Sequence, residues 1–171
     1  RHYQLRRTPP ADVLDEALRQ AQSMIQEADF EIDRRIDDHL PEVKVDPAAL
    51  SQCIQNLLSN AIKYAGPVRW AGLRAETGRA ANGSPEVRIS VEDKGAGINA
   101  SELSRIFDPF FRGTSATSRQ IHGTGLGLSL VRETLKAMGG EISVKSSPGQ
   151  GSTFTIHLPV AAESSSLEPA P

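Results

Sequence analysis

The sequence lacks the features of a disulfide-rich, membrane-spanning or strongly charged protein. The single cysteine, Cys53, excludes an internal disulfide, and its place in an apolar helical pattern favours a buried core thiol. No apolar run approaches the ~20 residues of a membrane span, and the first residues show no apolar run of the kind expected in a signal peptide. A net charge of -2 gives no reason to expect nucleic acid or an anionic membrane as partner. The remaining composition, 38% hydrophobic and 23% charged, is typical of a globular domain.

Hydrophobic periodicity divides the chain into amphipathic helices and hairpin strands. Helices are predicted over residues 12–28 (with Asp12 as cap), 47–65, 101–106 and 125–138. Strands are predicted over residues 2–7, 30–36, 43–45, 68–74, 87–93, 142–144 and 154–158. Because the strands come in hairpins, the pattern favours an α+β fold, a two-layer α/β sandwich with helices on one face of a mixed, mainly antiparallel sheet.

The domain is expected to span residues 1–159. Residues 160–171 are rich in Ala, Glu, Ser and Pro, which predicts a disordered tail or linker. Residues 76–85 are expected to form a flexible hairpin connection, and residues 113–122 a mobile loop. The chain begins at Arg1 without an initiator Met, which suggests a fragment of a longer protein.

The helix from Pro47 to Ala65 carries an unusual polar stripe. Gln52, Asn56, Asn60 and Lys63 fall on one face at helical spacing. Such a stripe is commonly just solvated, but Asn is a poor helix former, so two Asn one turn apart suggest a use. An amide oxygen is a hard ligand suited to Mg²⁺, and a lysine one turn on suits a phosphate.

Two glycine-rich segments follow. In Asp93-Lys94-Gly95-Ala96-Gly97-Ile98, Asp93 either belongs to an ordinary turn or accepts a hydrogen bond from an exocyclic amino group, with the glycines approaching a flat ring. Gly123-Thr124-Gly125-Leu126-Gly127-Leu128 opens a predicted helix, where free backbone N–H groups suit phosphate oxygens. No strand precedes this run and no Gly-Lys-Ser/Thr follows it, which separates it from dinucleotide and Walker A loops. The preceding loop is expected to act as a lid.

A third segment, Phe107-Asp108-Pro109-Phe110-Phe111-Arg112, lies at the base of this loop. Phe107 and Phe110 are interpreted as core anchors. Arg112 is either a solvated charge or a phosphate contact.

Together, these segments resemble the N, G1, F and G2 boxes of the catalytic and ATP-binding domain of bacterial sensor histidine kinases, of the superfamily shared with DNA gyrase B, Hsp90 and MutL. The matching segments are Asn56–Tyr64, Asp93–Ile98, Phe107–Arg112 and Gly123–Leu128. Gly151–Phe154 is similar to the family's last strand. The likeness covers about residues 5–159 and implies a Bergerat-type ATP-binding fold.

The resemblance also implies ATP and Mg²⁺ as cofactors and assigns roles to residues. Asn60 and Asn56 would hold Mg²⁺, Lys63 would meet phosphate, and Asp93 would bind the adenine amino group. The other positions expected at the nucleotide are Tyr64, Gly95, Gly97, Ile98, Arg112, Gly123, Thr124, Gly125, Leu126, Gly127, Leu128 and Thr153. Lys94 stands where the family often has Asn and is expected to point to solvent.

The ATPases of this superfamily resemble one another in having Glu at the position that Asn56 occupies here. An amide cannot take a proton from water at neutral pH, so the site is expected to hold ATP for another acceptor, with Asn56 and Lys63 as its catalytic residues. In the family the acceptor is a histidine on an upstream dimerisation domain. His2 faintly echoes that motif, but only 53 residues separate it from Asn56, which leaves no room for such a domain.

The remaining histidines have other interpretations. His39 and His157 are expected to be structural or solvent-exposed, and a phosphate contact by His122 in the predicted lid stays an alternative.

The resemblance implies the kinase's own phosphoacceptor domain and a response regulator receiver domain as partners, a monomeric isolated domain, a cytoplasmic location and no nucleic acid. Two alternatives are a non-catalytic nucleotide-sensing module and an anti-sigma-factor Ser/Thr kinase; intact motifs argue against the first, and the Phe107–Arg112 segment with the long lid argues against the second.

Overall fold

Seven strands and five helices make up the computed structural model, which describes residues 2–109, 111 and 127–162. The strands are β1 (Arg6–Thr8), β2 (Glu31–Ile36), β3 (Val43–Val45), β4 (Trp70–Arg79), β5 (Pro85–Asp93), β6 (Glu141–Ser146) and β7 (Ser152–Pro159). The helices are α1 (Pro10–Gln20), α2 (Gln22–Glu27), α3 (Pro47–Lys63), α4 (Ala100–Leu103) and α5 (Gly127–Ala137).

Five of the strands form one mixed sheet in the order β2-β4-β5-β7-β6. Only the β2–β4 pair in this sheet is parallel, and the other three pairs are antiparallel. β1 and β3 form a small antiparallel pair beside it. The predicted α+β fold with a mixed, mainly antiparallel sheet is therefore confirmed.

The helices cover one face of this sheet, here called the inner face. Alternate strand residues such as Leu73, Ile89 and Ile156 are fully buried there. α3 presents its apolar stripe, including Leu57, to the same core. Cys53 belongs to this stripe, and burial raises the pKa of its thiol to about 12. This thiol is inert, as expected for a core cysteine.

The opposite, outer face of the sheet carries polar side chains that pair with one another. His157 lies with Nδ1 2.7 Å from Glu86 Oε2 and Nε2 2.7 Å from Ser143 Oγ. Burial would raise the pKa of Glu86, but hydrogen bonds from Arg88 and His157 outweigh it and hold the pKa below its usual range. His157, predicted to be structural or solvent-exposed, is thus engaged by two side chains of the outer face.

Asp46 fixes the start of α3. Its carboxylate accepts a hydrogen bond from the Ala49 amide at 3.1 Å, and Pro47 takes the first helical position. The same carboxylate accepts from the Gln4 amide at 3.0 Å, and these backbone hydrogen bonds lower the pKa of Asp46. One side chain thus fastens the N-terminal segment to the helix that carries Asn56.

Several predicted boundaries are wrong. The single helix expected over residues 12–28 is two helices, α1 and α2, and α1 begins at Pro10 without a side-chain cap, so Asp12 lies in its first turn. The expected hairpin connection over residues 76–85 does join β4 to β5, but it is shorter than predicted, since β4 runs to Arg79 and β5 starts at Pro85. Within the described residues, every helix is too short or too polar to cross a membrane.

The folded part also extends beyond the expected end of the domain. Val160 forms a bridge with Val43, and the Ala161 amide donates to the Glu42 carbonyl at 2.8 Å. Residues 160–162, assigned from sequence to the tail, therefore belong to the domain. Residues 163–171 and the predicted lid, 113–122, lie outside the described residues.

Candidate functional site

The polar stripe of α3 lies on the open side of the helix. Asn56 and Asn60 are half-buried and Lys63 is exposed. Gln52 Nε2 donates to Asn56 Oδ1 at 3.3 Å. The amide and ammonium groups are thus available to a ligand, while the opposite side of the helix fills the core.

Asp93 ends β5 as a buried carboxylate, only 7% exposed. It accepts hydrogen bonds from the backbone amides of Gly95, at 2.9 Å, and Ser152. Burial raises the pKa of Asp93, and the two amide hydrogen bonds oppose that shift. A buried acceptor with remaining lone pairs suits an amino group on a ligand.

The glycines near Asp93 permit close contacts within the protein. A Cβ at Gly95 would overlap the carbonyl oxygen of Tyr64, and one at Gly97, where φ is +75°, would overlap the carbonyl oxygen of Ser147. At Gly151, with φ +77°, a Cβ would overlap the carbonyl oxygen of Asp93 itself. The glycine requirement therefore comes from backbone packing around the turn, a reason different from the expected approach to a flat ring.

These close approaches join α3 to the Asp93 turn. The Ala96 amide donates to the Tyr64 carbonyl at 3.4 Å, immediately after the end of α3. Tyr64 is itself half-buried. The structure thereby brings the C-terminal end of the Asn56–Tyr64 segment into contact with the Asp93–Ile98 segment.

A serine cluster supports the turn from the β6–β7 hairpin. Ser146 Oγ accepts from the Ile98 amide and donates to the Gly151 carbonyl, each at 2.8 Å, and lies 2.8 Å from Ser152 Oγ. Ile98 is thus fixed through its backbone. Sequence reasoning missed Ser146 and Ser152, although both occupy inner positions of strands whose alternation was recognised.

Thr153 lies away from this cluster. In the β5–β7 register, Ser152 is opposite Asp93 and Thr153 is opposite Glu92. Because side chains alternate along a strand, Ser152 shares the inner face with Asp93 while Thr153 faces outward. The structure does not bring Thr153 to the other predicted site residues.

The phenylalanine segment anchors the chain after α4. The Phe107 ring meets Phe154 edge-on, with centroids 6.3 Å apart, as expected for a core anchor. Phe111 packs against the core and carries the Arg105 guanidinium 4.8 Å above its ring centroid. Phe110 and Arg112 lie outside the described residues.

The glycine run is described only at its end. Gly123, Thr124, Gly125, Leu126 and also His122 lie outside the described residues. Gly127 is exposed at the first position given for α5, and Leu128 is half-buried against the core. α5 contacts α3, and residues such as Val131 are buried in the core, so the helix that follows the glycine run packs on the helix that carries the Asn pair.

Lys94, expected to point to solvent, also contacts an aromatic ring. It is exposed, but its ammonium lies 4.6 Å from the centroid of the Trp70 ring. Trp70 is half-buried at the start of β4.

A metal ion at this site would be held by amide oxygens. Within residues 2–109, 111 and 127–162, no three His, Cys, Asp or Glu side chains converge as a metal site. Asn56 and Asn60 offer two neutral oxygen donors on an open helix face, which leaves room for several waters. This donor set fits Mg²⁺, which takes few protein ligands and retains water.

Comparison with known proteins gives consistent matches. The family described as "Histidine kinase-, DNA gyrase B-, and HSP90-like ATPase" matches residues 45–162. Sensor histidine kinase RcsC of Escherichia coli is 43% identical over 125 residues, which is 70% of this chain and 12% of that protein. Sensor histidine kinase ZraS of Escherichia coli is 42% identical over 124 residues, 72% of this chain and 24% of its own length. The chain thus spans a small part of these relatives.

Solved structures match over nearly the whole chain. Full-length ShkA in complex with AMPPNP matches with a TM-score of 0.74 at 27% identity, covering 95% of this chain and 33% of that one. The mycobacterial sensor histidine kinase MprB matches with a TM-score of 0.74 over 95% of this chain and 100% of that one. At 23% identity, the second likeness supports the fold alone.

Proposed function

Because the chain belongs to the histidine kinase-, DNA gyrase B- and HSP90-like ATPase family, we propose that it binds Mg²⁺-ATP and donates the γ-phosphoryl to a histidine on a separate domain. Within that family it is an ATP-binding catalytic domain of the sensor histidine kinase type. The phosphoryl group then passes to a response regulator. Such a domain acts in the cytoplasm, where ATP is available.

The buried Asp93 carboxylate is the observation that carries this proposal. It lies 7% exposed, beside the end of the helix that bears two half-buried Asn side chains. Its pKa is raised by burial, and two amide hydrogen bonds fix its orientation. A fixed acceptor near hard oxygen donors matches the two ends of a nucleotide: Asp93 for the amino group of adenine, and Asn56, Asn60 and Lys63 for the metal and phosphates.

Phosphoryl transfer requires mainly positioning and charge neutralisation from the protein. When bound, Mg²⁺ would supply charge neutralisation at the phosphate oxygens. Lys63, exposed at the end of α3, provides a mobile positive charge for the same oxygens. Asn56 can hold a water or the metal by its amide but cannot remove a proton. The site therefore retains the γ-phosphoryl for an acceptor other than water.

Two of the described histidines, His39 and His157, support a separate acceptor. His157 lies on the outer face of the sheet and is engaged by Glu86 and Ser143. Asp93 lies on the inner face, so the sheet stands between them. His39 lies in the connection between β2 and β3 with φ +61°, remote in sequence from the motifs.

Isothermal titration with AMPPNP, with and without Mg²⁺, tests binding. The wild-type chain should bind with an affinity that improves with Mg²⁺, and Asn60→Ala should lose that improvement. Asn82→Ala, an exposed Asn in the β4–β5 hairpin, is the matched control and should behave as wild type. Absence of heat with wild type would overturn the binding proposal, and a retained Mg²⁺ effect in Asn60→Ala would remove Asn60 from the metal site.

Transfer is tested separately, with the histidine-bearing helical domain of the parent protein and radiolabelled ATP. Label on that histidine supports the kinase mechanism. Binding without transfer in the intact parent protein would instead identify a nucleotide-sensing module.

A further inference from the structure

The only tryptophan of the chain, Trp70, is stacked against the turn that follows Asp93. The Lys94 ammonium lies 4.6 Å from the Trp70 ring centroid, within the range of a cation–π interaction. Lys94 stands between Asp93, the hydrogen-bond acceptor, and Gly95, whose amide donates to the Asp93 carboxylate and orients it. The cation–π contact with Trp70 therefore restrains the residue at the centre of the base-binding turn.

Gly72 determines where the indole lies. A Cβ at Gly72 would come within 2.9 Å of Trp70 Cη2 and 3.7 Å of Glu92 Oε1. The indole thus lies across Gly72 on the outer face of the sheet, with the Glu92 side chain next to it. Glu92 also pairs with Arg74 at 3.8 Å. The Trp70 indole lies flat over Gly72, because a side chain at position 72 would overlap the ring.

The strand register explains why this contact reaches the site. Ala71 is opposite Asp93 in the β4–β5 pair, so Trp70 and Lys94 lie just beyond that pair, where the ladder ends. From here the chain leaves the sheet, and Gly95 packs against the Tyr64 carbonyl on the inner side. The turn is therefore fixed from two directions, by Tyr64 within the fold and by Trp70 outside it.

We propose that Lys94 is a positioning residue for adenine recognition, and that the Trp70 indole, by holding the Lys94 ammonium, keeps the Asp93–Gly97 turn in its base-binding geometry and reports on occupancy of the site. The inference rests on the proposed nucleotide-binding function. It concerns the base alone, because Trp70 and Lys94 lie on the outer face and the phosphate-binding side chains lie on α3.

The test uses Lys94→Gln, which removes the cation, and Lys94→Arg, which retains one that stacks on aromatic rings. Gly72→Ala keeps Lys94 but displaces the indole. Lys44→Met, on the remote strand β3, controls for loss of a positive charge. AMPPNP affinity is measured by titration, inorganic tripolyphosphate affinity by competition with AMPPNP, and Trp70 emission is recorded during the AMPPNP titration.

Lys94→Gln and Gly72→Ala should weaken AMPPNP binding about two- to fivefold, the range of an exposed cation–π contact. Tripolyphosphate binding should stay unchanged, since a role confined to the base leaves the phosphate end intact. Lys94→Arg and Lys44→Met should bind both probes as wild type. AMPPNP should change Trp70 emission in wild type, and Lys94→Gln should lose that change.

Wild-type affinity in Lys94→Gln, or an equal loss for both probes, would overturn the positioning role. Unchanged Trp70 emission in a wild-type chain that binds AMPPNP would overturn it as well. Failure of wild type to bind AMPPNP at all would instead overturn the proposed function and this inference with it.

Discussion

The two ends of the proposed nucleotide site are built differently. At the base end, Asp93 is buried, bonded to two backbone amides and surrounded by glycines in close backbone contact. At the described part of the phosphate end, the groups are side chains on the open face of one helix. The Asn56 side chain accepts a hydrogen bond from Gln52, and Lys63 is exposed.

In the proposed site, this difference divides ligand recognition between backbone groups at one end and side chains at the other. A base is flat and rigid, so a preformed acceptor in a fixed turn binds it without reorganisation. Phosphates and a hydrated metal change position as a phosphoryl group is transferred, and longer side chains in contact with water can follow them. Backbone substitutions should therefore disrupt the base end, while side-chain substitutions should tune the phosphate end.

The largest effect is expected from Gly151→Ala. Its Cβ would overlap the Asp93 carbonyl oxygen at a φ of +77°, which combines left-handed strain with overpacking and should cost about 2–5 kcal/mol of unfolding free energy. Gly149→Ala is the control, because it has the same conformation, φ +78°, but open space around it, and should cost only about 1–2 kcal/mol. Urea unfolding measures both, and equal losses would show that the contact with Asp93 is unimportant.

Asp93→Asn should weaken AMPPNP binding about ten- to a hundredfold, the contribution of a hydrogen bond to a charged group. Asp33→Asn, on the outer face, is the control and should bind as wild type. Titration calorimetry measures the affinity. Retained affinity in Asp93→Asn would exclude Asp93 as the acceptor for the base.

The same substitution should alter the pH dependence of stability. Because burial raises the pKa of Asp93 above its ordinary 3.8, the native state binds more protons than the unfolded state between the two values. Stability contributed by this group is therefore lost as the pH rises through that interval. Asp93→Asn should lack this loss, and the difference between the two urea midpoints across the acidic range checks the sign.

Asn56→Glu should raise ATP hydrolysis by up to about tenfold, below the 10²–10⁴ of a well-positioned base, because a carboxylate can accept a proton from water. Asn56→Gln, which has the same length without basicity, should hydrolyse ATP as slowly as wild type. Phosphate release measures the rate. Equal rates in the two variants would mean that residue 56 does not adjoin the attacking water.

The smallest effect is expected from Gln52→Ala. The hydrogen bond from Gln52 to Asn56 is exposed, and such helix pairs contribute about 0.2–0.5 kcal/mol. AMPPNP affinity should therefore fall by less than about twofold. A tenfold loss would show that Gln52 itself contacts the ligand.

The sequence was sufficient where the signals are local. The start of α3 at Pro47 could be predicted because Asp46 caps the helix and Pro47 takes its first position, and both signals lie next to each other in the sequence. The break between α1 and α2 at Ala21 was missed because the apolar spacing continues through it, and Ala21 is itself buried.

Long-range features were harder to predict. The contact of Gly97 with Ser147 depends on how two distant turns meet. The placement of Ser152, by contrast, was available in principle. Because Phe154 is an apolar residue of the predicted strand, alternation places Ser152 inward with it and Thr153 outward.

The pairing of Asp93 with Ser152 in the β5–β7 ladder also has a kinetic consequence. Ladders between residues distant in the chain close large loops and form slowly. The proposed base-binding pocket therefore cannot exist on a nascent chain that ends with β5, and it should appear only with the central sheet. A nucleotide would bind the native state alone and protect it by mass action, by about 2.7 kcal/mol at a hundred times its dissociation constant. Nucleotide supply and the lifetime of the folded kinase domain would then be coupled.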